Sequence, residues 1–277
     1  MALSHRYFCC MPKLQSMIRS IALAAILFLT MAPTFAQTVR ELPPKAYELY
    51  PTLQDMYGYA VGQQGNYLLI FGGSIRSDVP QQYSQDFPNL DILMIDFKRS
   101  RAAAYTSGNL EGLLREQISA TGMAYYQEGS TLYLLGGYGF SETSGQYITF
   151  PYLTAIDLEA TINALLEGKS PVANFYQLCD ERMAIFDATM DYNGEEFFLI
   201  NGKSAYKLAP FSDTPVYNEQ PFTGQARTFR IKGRKESLEI AQFQTWYDLE
   251  GFREHYGPLL PEAIERELDL LPDKQVE

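Results

Sequence analysis

The chain has 277 residues, of which 22 are Lys or Arg and 33 are Asp or Glu, so its formal net charge at pH 7 is −11. Binding to nucleic acid requires a positively charged surface for the phosphate groups, and this charge balance disfavours nucleic acid as a partner. Hydrophobic residues make up 46% of the chain, which is typical of a globular protein with a buried core.

The first 36 residues have the pattern of a secretory signal peptide. Three basic residues and no acid precede an apolar run over residues 21–31: Arg6, Lys13 and Arg19. Small residues then lead to a predicted cleavage site after Ala36. We therefore expect export to the periplasm, the cell envelope or the outside of the cell. The apolar run is shorter than the about 20 residues of a membrane-spanning helix, so a retained anchor is the less favoured alternative.

Cleavage would leave 19 Lys and Arg against 33 Asp and Glu, because the segment carries three basic residues and no acid, and the formal charge would become −14. Of the three cysteines, only Cys179 would remain. An internal disulfide is then excluded, and we interpret Cys179 as a small buried hydrophobic residue. The remaining residues are enough for one domain, with 37–54 as a lead-in.

A repeat follows this lead-in. Gly65 precedes Gly72-Gly73 by seven residues, Gly129 precedes Gly136-Gly137 by seven, and Gly194 precedes Asn201-Gly202 by seven. The pairs start 64 and 65 residues apart. Runs rich in aromatic and β-branched residues on both sides of each turn predict three β-hairpins: 57–61 with 67–71, 123–126 with 131–135, and 184–190 with 196–200. The spacing indicates three similar β units.

Two further strands are predicted in each unit: 90–97 and 101–106, 153–158 and 173–178, and 226–231 and 238–243. Inserted helices are predicted over 110–118, with Asn109 as the cap, and after Asp157, which caps a helix that ends at Gly168. A C-terminal helix is predicted between Pro261 and Pro272. Four strands in each of several repeated units are typical of β-propeller blades.

With these features the chain resembles the kelch family of β-propellers, within the superfamily that includes the central domain of galactose oxidase. The resemblance covers about residues 55–245 and rests on Leu68–Gly73 and Leu132–Gly137, with Ile95-Asp96 and Ile156-Asp157 at the third strand. It implies an all-β fold: a kelch-like propeller fragment of about three four-stranded antiparallel blades. The chain departs from the family because the Tyr and Trp that follow the glycine pair are missing, and its units are longer than about 50 residues.

Three blades cannot close a ring, since propellers have about four to eight. We favour a shortened form of a longer propeller. The two alternatives are completion by self-association and an open arc whose last sheet face is covered by the C-terminal helix. Residues 246–277 are expected to form that helical tail.

Candidate catalytic groups are few. His255 would be the only histidine after cleavage, which disfavours the two-histidine copper site that the resemblance to galactose oxidase would imply, and also histidine-based triads and zinc sites. The acids around Asn193 do not have the spacing of an EF-hand loop and are interpreted as a hairpin turn. We therefore predict no metal, no cofactor and no catalytic residue.

Long loops that carry aromatic residues follow each small-residue pair, at 74–89, 138–152 and 203–225, and the repeat places them on one face. The predicted binding residues are tyrosines of these loops: Tyr83, Tyr138, Tyr147, Tyr152, Tyr206 and Tyr217. Tyrosine suits glycans, peptides or proteins as ligands. We predict a non-catalytic binding module. The alternatives are that the rings only pack together to order the loops, or that the chain is a carbohydrate-active enzyme or its remnant, in which acids from two loops would converge on one pocket.

Overall fold

The computed structural model describes residues 42–76, 87–110, 112–207, 217–221, 224–233 and 235–271, with only the backbone for 206–207 and 217–220. Small antiparallel sheets lie in a propeller arrangement, with a few short helices. The described residues form four sheets, so the expectation of three blades was wrong. All-β architecture is confirmed. The additional sheet is built from two-residue strands that have no hydrophobic periodicity.

The strands in chain order are β1 (Met56–Tyr57), β2 (Ala60–Gln64), β3 (Tyr67–Phe71), β4 (Ser74–Ile75), β5 (Phe87–Pro88), β6 (Asp91–Asp96), β7 (Arg101–Thr106), β8 (Ala124–Glu128), β9 (Thr131–Leu135), β10 (Tyr138–Ser141), β11 (Gln146–Thr149), β12 (Tyr152–Asp157), β13 (Phe175–Cys179), β14 (Phe186–Tyr192), β15 (Phe197–Lys207), β16 (Tyr217–Pro221), β17 (Ala226–Lys232) and β18 (Glu239–Trp246). The α-helices are α1 (Pro44–Leu49), α2 (Gly112–Ile118), α3 (Leu158–Leu166), α4 (Leu249–Tyr256) and α5 (Glu262–Leu270).

Each predicted repeat unit forms a four-stranded antiparallel ladder. The first repeat sheet has the order β2-β3-β6-β7, the second has the order β8-β9-β12-β13, and the third contains β14, β15, β17 and β18. The hairpin β10–β11 and strand β16 also pair with β15, which extends the third repeat sheet to seven strands. The small sheet, β1-β4-β5, is the fourth. The four strands predicted for each repeat unit are therefore present at about the predicted residues.

Hydrophobic cores separate consecutive layers. Phe71 and Phe150 are fully buried between the first and second repeat sheets, and Phe229 is fully buried between the second and third. Burial of such a side chain contributes about 1.5–3 kcal/mol. Another core joins α1 to the first repeat sheet through Ala46 and Leu68. The layers thus stack in the order of the chain.

The outer face of the third repeat sheet is covered by the two C-terminal helices. Phe198 and Ile200 of β15 pack with Phe252 of α4 and with Ile264 and Leu268 of α5. The sheet face that a further blade would cover is therefore buried by helices, as the open-arc alternative required. A shortened origin of the chain stays a prediction.

Gly72-Gly73 and Gly136-Gly137 directly follow β3 and β9 at equivalent strand ends, whereas Asn201-Gly202 lies within β15, which continues to Lys207. Gly72, Gly136 and Asn201 have positive φ angles of 61°, 65° and 62°. That region favours glycine, and asparagine is among the residues that tolerate it best. The amide of Gly73 donates a hydrogen bond to Ala120 O at 2.8 Å, and that of Gly137 donates to Ile185 O at 2.9 Å. The two glycine pairs thus hold the segments that follow the first and second repeat sheets.

The helix predictions have mixed outcomes. Asp157 caps α3 as predicted, since its Oδ1 accepts a hydrogen bond from Ala160 N at 3.0 Å, and α5 begins after Pro261. The predicted cap Asn109 was wrong. Residues 107–109 form a 3-10 turn whose capping side chain is Thr106, and α2 begins only at Gly112. No helix within the described ranges is long and apolar enough to cross a membrane.

Candidate functional site

A cavity of about 500 Å³ lies where the small sheet, α2 and the hairpin β10–β11 meet. Ser74 and Pro88 of the small sheet contribute to its lining, and so do Thr106 and Ser107 at the end of the first repeat sheet. The cavity therefore combines the first predicted loop with the second. Its volume is within the range of small-molecule binding sites, which is about 300–1,000 Å³.

Aromatic rings form one wall of this cavity. The lining includes Tyr57 of β1, Tyr138 and Phe140 of β10, and Tyr147 of β11. The Tyr138 and Tyr147 rings stack with centroids 6.2 Å apart, and Phe140 meets Tyr147 edge-on at 5.2 Å. Tyr147 is 40% exposed and Phe140 is 45% exposed. We call Tyr138, Phe140 and Tyr147 the aromatic wall, and it presents apolar surface to a ligand.

The polar side of the cavity comes from α2, which Gln117 fixes in place. Gln117 is fully buried, and its Nε2 donates to Tyr152 O at 2.9 Å. Its Oε1 accepts hydrogen bonds from Thr154 Oγ1 at 2.6 Å and from Gln177 Nε2 at 2.9 Å. These contacts attach α2 to the second repeat sheet. The two residues that precede Gln117 in the helix are thereby held beside the cavity.

Those residues are Arg115 and Glu116, and both reach the β10–β11 turn. Arg115 forms an ion pair with Glu142, which also lines the cavity. Glu116 Oε1 accepts hydrogen bonds from the backbone N and from Oγ1 of Thr143, both at 3.0 Å. Glu116 Oε2 is buried and has no hydrogen-bond partner among the described residues. Within that part of the chain, one carboxylate oxygen of a cavity-lining residue therefore has no donor.

The hairpin that carries the aromatic wall is tied to the third repeat sheet. Tyr147 pairs with Lys207 and Ile148 with Tyr206 in the β11–β15 ladder. The Thr149 hydroxyl donates a hydrogen bond to Ala205 O at 3.1 Å, and Thr149 Oγ1 also accepts one from Ala205 N at 2.8 Å. The second and third predicted loops are thus joined through their backbones.

The predicted binding tyrosines divide into four groups. Tyr138 and Tyr147 line the cavity together. Tyr152 does not: it is 7% exposed in the core beside Phe150, and this burial raises the pKa of its phenol. Tyr206 and Tyr217 are described only by backbone, in β15 and β16. Tyr83 lies outside the described residues.

The rings also pack against one another, as expected from the alternative in which they only order the loops. Tyr138 stacks on Phe186 of the third repeat sheet with centroids 5.1 Å apart. The other two rings of the aromatic wall remain exposed, Phe140 at 45% and Tyr147 at 40%. The rings therefore order the hairpin and also leave surface for a ligand.

Sequence reasoning did not select Tyr57, Arg115, Glu116, Phe140 and Glu142 as site residues. Phe140 belonged to an aromatic loop but not to the selected tyrosines. The three charged residues gave no signal, because the chain has 33 acids and their spacing is not distinctive. Only the packing of α2 against the hairpin brings them together.

Two other candidates are resolved by their contacts. Glu195 and Glu196, near the Asn193 turn, form ion pairs with Arg230, and Asn193 Oδ1 accepts from the amides of both residues. The turn interpretation accounts for these acids. The interpretation of Cys179 as buried was wrong. Cys179 is exposed, because it is the last residue of the outer strand β13.

No protein-family model matches the chain, and comparison with curated proteins gives no match either. The fold and the cavity therefore carry the functional argument.

Proposed function

We propose that the protein is an exported, non-catalytic binding module of the kelch-like propeller type, and that its ligand is held in the cavity beside the aromatic wall. The observation that carries this proposal is the convergence of Tyr138 and Tyr147, with Phe140, on one cavity of about 500 Å³. Two loops contribute to that cavity, and loops on a rigid scaffold are common binding sites.

The kelch-like assignment is supported by the sheets. Each repeat forms an antiparallel four-stranded ladder, and the small-residue pairs lie at equivalent positions with positive φ. Export is supported only by the sequence of residues 1–36. It predicts that the mature protein from its native host begins near Gln37 and lies outside the cytoplasm, which N-terminal sequencing checks.

A glycan or a peptide fits the composition of the cavity. The aromatic wall provides flat apolar surface for a sugar face or a side chain, and Ser107, Ser119 and Thr121 provide hydroxyl groups on the lining. A protein partner would have to insert a loop or a side chain, because the cavity is concave. These are the ligand classes that we would screen first.

The test is a glycan array and a peptide library, followed by affinity measurement on purified variants. Tyr147→Ala and Phe140→Ala should each weaken binding about two- to tenfold, because a well-placed aromatic contact contributes about 0.5–1.5 kcal/mol beyond area burial. Tyr247→Ala is the matched control, since Tyr247 is exposed and does not line the cavity. Its affinity should equal that of the wild type.

Loss of thermal stability in the two wall variants with unchanged affinity would contradict this proposal and leave the rings with a packing role. The same conclusion follows if no ligand of any class is captured by the folded protein.

A second candidate is a carbohydrate-active enzyme. Glu116 of α2 and Glu142 of the β10–β11 turn come from different elements and both line the cavity, as a pair of catalytic acids would. Both are already engaged, Glu142 by Arg115 and Glu116 by Thr143, which favours binding over hydrolysis. Release of nitrophenol from a panel of aryl glycosides, lost in Glu116→Gln, would support the enzyme instead.

A further inference from the structure

Glu116 is the starting point for the chemistry of the ligand. The residue is only 6% exposed, and Thr143 satisfies one carboxylate oxygen with two hydrogen bonds. The second oxygen, Oε2, is buried and receives no hydrogen bond from the described residues. A buried acceptor without a donor is costly, and each one in a native protein calls for an explanation. Glu116 also lines the cavity, so a donor on the ligand provides one once a rotation of the carboxylate brings Oε2 to the cavity surface.

The charge of the cavity points in the same direction. Among the described residues that line it, Arg115, Glu116 and Glu142 are charged. Arg115 and Glu142 neutralise each other in an ion pair. Among these described residues, Glu116 is therefore the acid without an ion-pair partner, and a cationic group on the ligand would balance it. An anionic ligand would meet that charge without compensation.

The aromatic wall suits the same ligand. Aromatic ring faces carry negative electrostatic potential and attract cations within about 6 Å. Tyr147 is 40% exposed and presents a ring that also stacks on Tyr138, and Phe140 adds an apolar ring without any hydrogen-bonding group. The wall therefore offers contact to an apolar or aromatic body and attraction to a cationic head. It offers few polar groups for a strongly hydroxylated body.

The geometry points to an organic ammonium compound as the ligand: a primary or secondary amine, protonated at neutral pH, on an apolar or aromatic body. The ammonium group pairs with the Glu116 carboxylate, which rotates to expose Oε2 to the cavity, and the body lies against the aromatic wall. This inference rests on the proposed binding function and narrows its ligand. A quaternary ammonium group would fit less well, because it has no N–H to donate.

Three probes of similar shape and different charge test it: 2-phenylethylammonium, the neutral 2-phenylethanol and the anion 3-phenylpropionate. Titration calorimetry at pH 7 should give an affinity for the ammonium at least about tenfold higher than for the alcohol. The anion should bind most weakly. The preference follows from one charge-assisted hydrogen bond that the alcohol cannot form.

Glu116→Gln retains the shape of the side chain and removes its charge, and it should reduce the preference for the ammonium to about twofold or less. Glu159→Gln is the matched control, since Glu159 is exposed in α3 and does not line the cavity. It makes the same change in net charge and should retain the wild-type preference. Thermal melting verifies that each variant is folded.

Equal affinity for the three probes in the wild type, or a preference that survives in Glu116→Gln, overturns the inference. The wild-type comparison decides the matter by itself if Glu116→Gln does not fold. If a glycan or peptide binds through Tyr147 while the ammonium shows no preference, this inference fails and the proposed function stands. If no probe, glycan or peptide binds, both fail.

Discussion

The junctions that follow the first and second repeat sheets differ from the junction that follows the third. At the first two, the amides of Gly73 and Gly137 donate to carbonyl oxygens of the segment that begins the next repeat. At the third, Asn201 Nδ2 donates to Glu267 Oε2 of α5 at 2.9 Å, and Thr189 Oγ1 donates to Glu267 Oε1 at 2.9 Å. A helix side chain has taken the place of a backbone carbonyl from the segment before the next strand.

The difference explains why the repeat changes from glycine to asparagine. A Cβ atom on Gly72 or Gly136 would overlap a backbone carbonyl oxygen of the next unit. Asn201 has the same backbone conformation, but its neighbour is the end of a long side chain, so there is room for a side chain that also forms a hydrogen bond. The first residue of each pair is thus glycine where a backbone carbonyl lies next to it and asparagine where a helix side chain does.

The largest expected effect is at a backbone junction. Gly136→Ala should lower the free energy of unfolding by about 2–5 kcal/mol, because it combines a positive φ, costing about 1–2 kcal/mol, with a steric overlap, costing about 1–3 kcal/mol. Gly129→Ala is the control: its φ is 58°, and a Cβ there meets nothing within 4 Å. It should cost only about 1–2 kcal/mol.

Urea unfolding measures both variants. Equal costs for the two substitutions would mean that the close approach of Ile185 O to Gly136 does not constrain the junction, and the comparison would lose its physical basis.

An intermediate effect is expected at the helix junction. Glu267→Ala should cost about 1–3 kcal/mol, since it removes the acceptor of two hydrogen bonds to a charged group. Asn201→Gly keeps the backbone conformation and removes only one of them. In a double-mutant cycle the two changes should couple by about 0.5–3 kcal/mol. Strict additivity of their effects on the free energy of unfolding would show that the Asn201–Glu267 contact does not hold α5 in place.

Replacing the buried tyrosines between layers should have the smallest effect on the free energy of unfolding at neutral pH. The effect should be larger in alkali. Burial, with the charge of Asp191, raises the pKa of Tyr126 to about 12, and burial raises the pKa of Tyr256. Tyrosine in the unfolded chain ionises near pH 10. These phenols therefore favour the folded state fully below pH 10, and that contribution is lost as pH rises from about 10 to 12.

Tyr126→Phe should unfold at the wild-type urea concentration at pH 7 and lose less stability between pH 9 and 11.5. Tyr256→Phe should lose its hydrogen bond to Glu196 in addition, so it should already be weaker at pH 7. A steeper loss of stability in alkali for Tyr126→Phe than for the wild type would contradict the raised pKa of the Tyr126 phenol.

Much of the fold was predictable because its signals are local. The hairpins at 60–71, 124–135 and 186–200 follow from glycine turns between apolar runs, and Asp157 marks the start of α3 by its position before an amphipathic run. The small sheet was not predictable, since its strands are two residues long and pair at long range. Nor were α1 or the pairing of β11 with β15, which depends on tertiary contacts.

The candidate site was only partly predictable. Aromatic enrichment of the second loop selected Tyr138 and Tyr147, which line the cavity. Tyr152 follows the same loop but starts a central strand, so its ring is buried. Glu116 and Arg115 acquire a role only because Gln117 fixes α2 through hydrogen bonds to residues 35–60 positions away in the sequence. No spacing in the chain indicates that arrangement.

The layered cores have a consequence for the order in which the chain gains structure. The core between α1 and the first repeat sheet uses residues 42–125, the next uses 60–175, the third uses 124–243 and the last uses 198–271. The first three cores are complete before the residues of the last helix are needed. A chain that emerges from its N-terminus can therefore consolidate one layer after another, and native-state hydrogen exchange should divide into steps that follow this sequence, with α4 and α5 opening independently of α1.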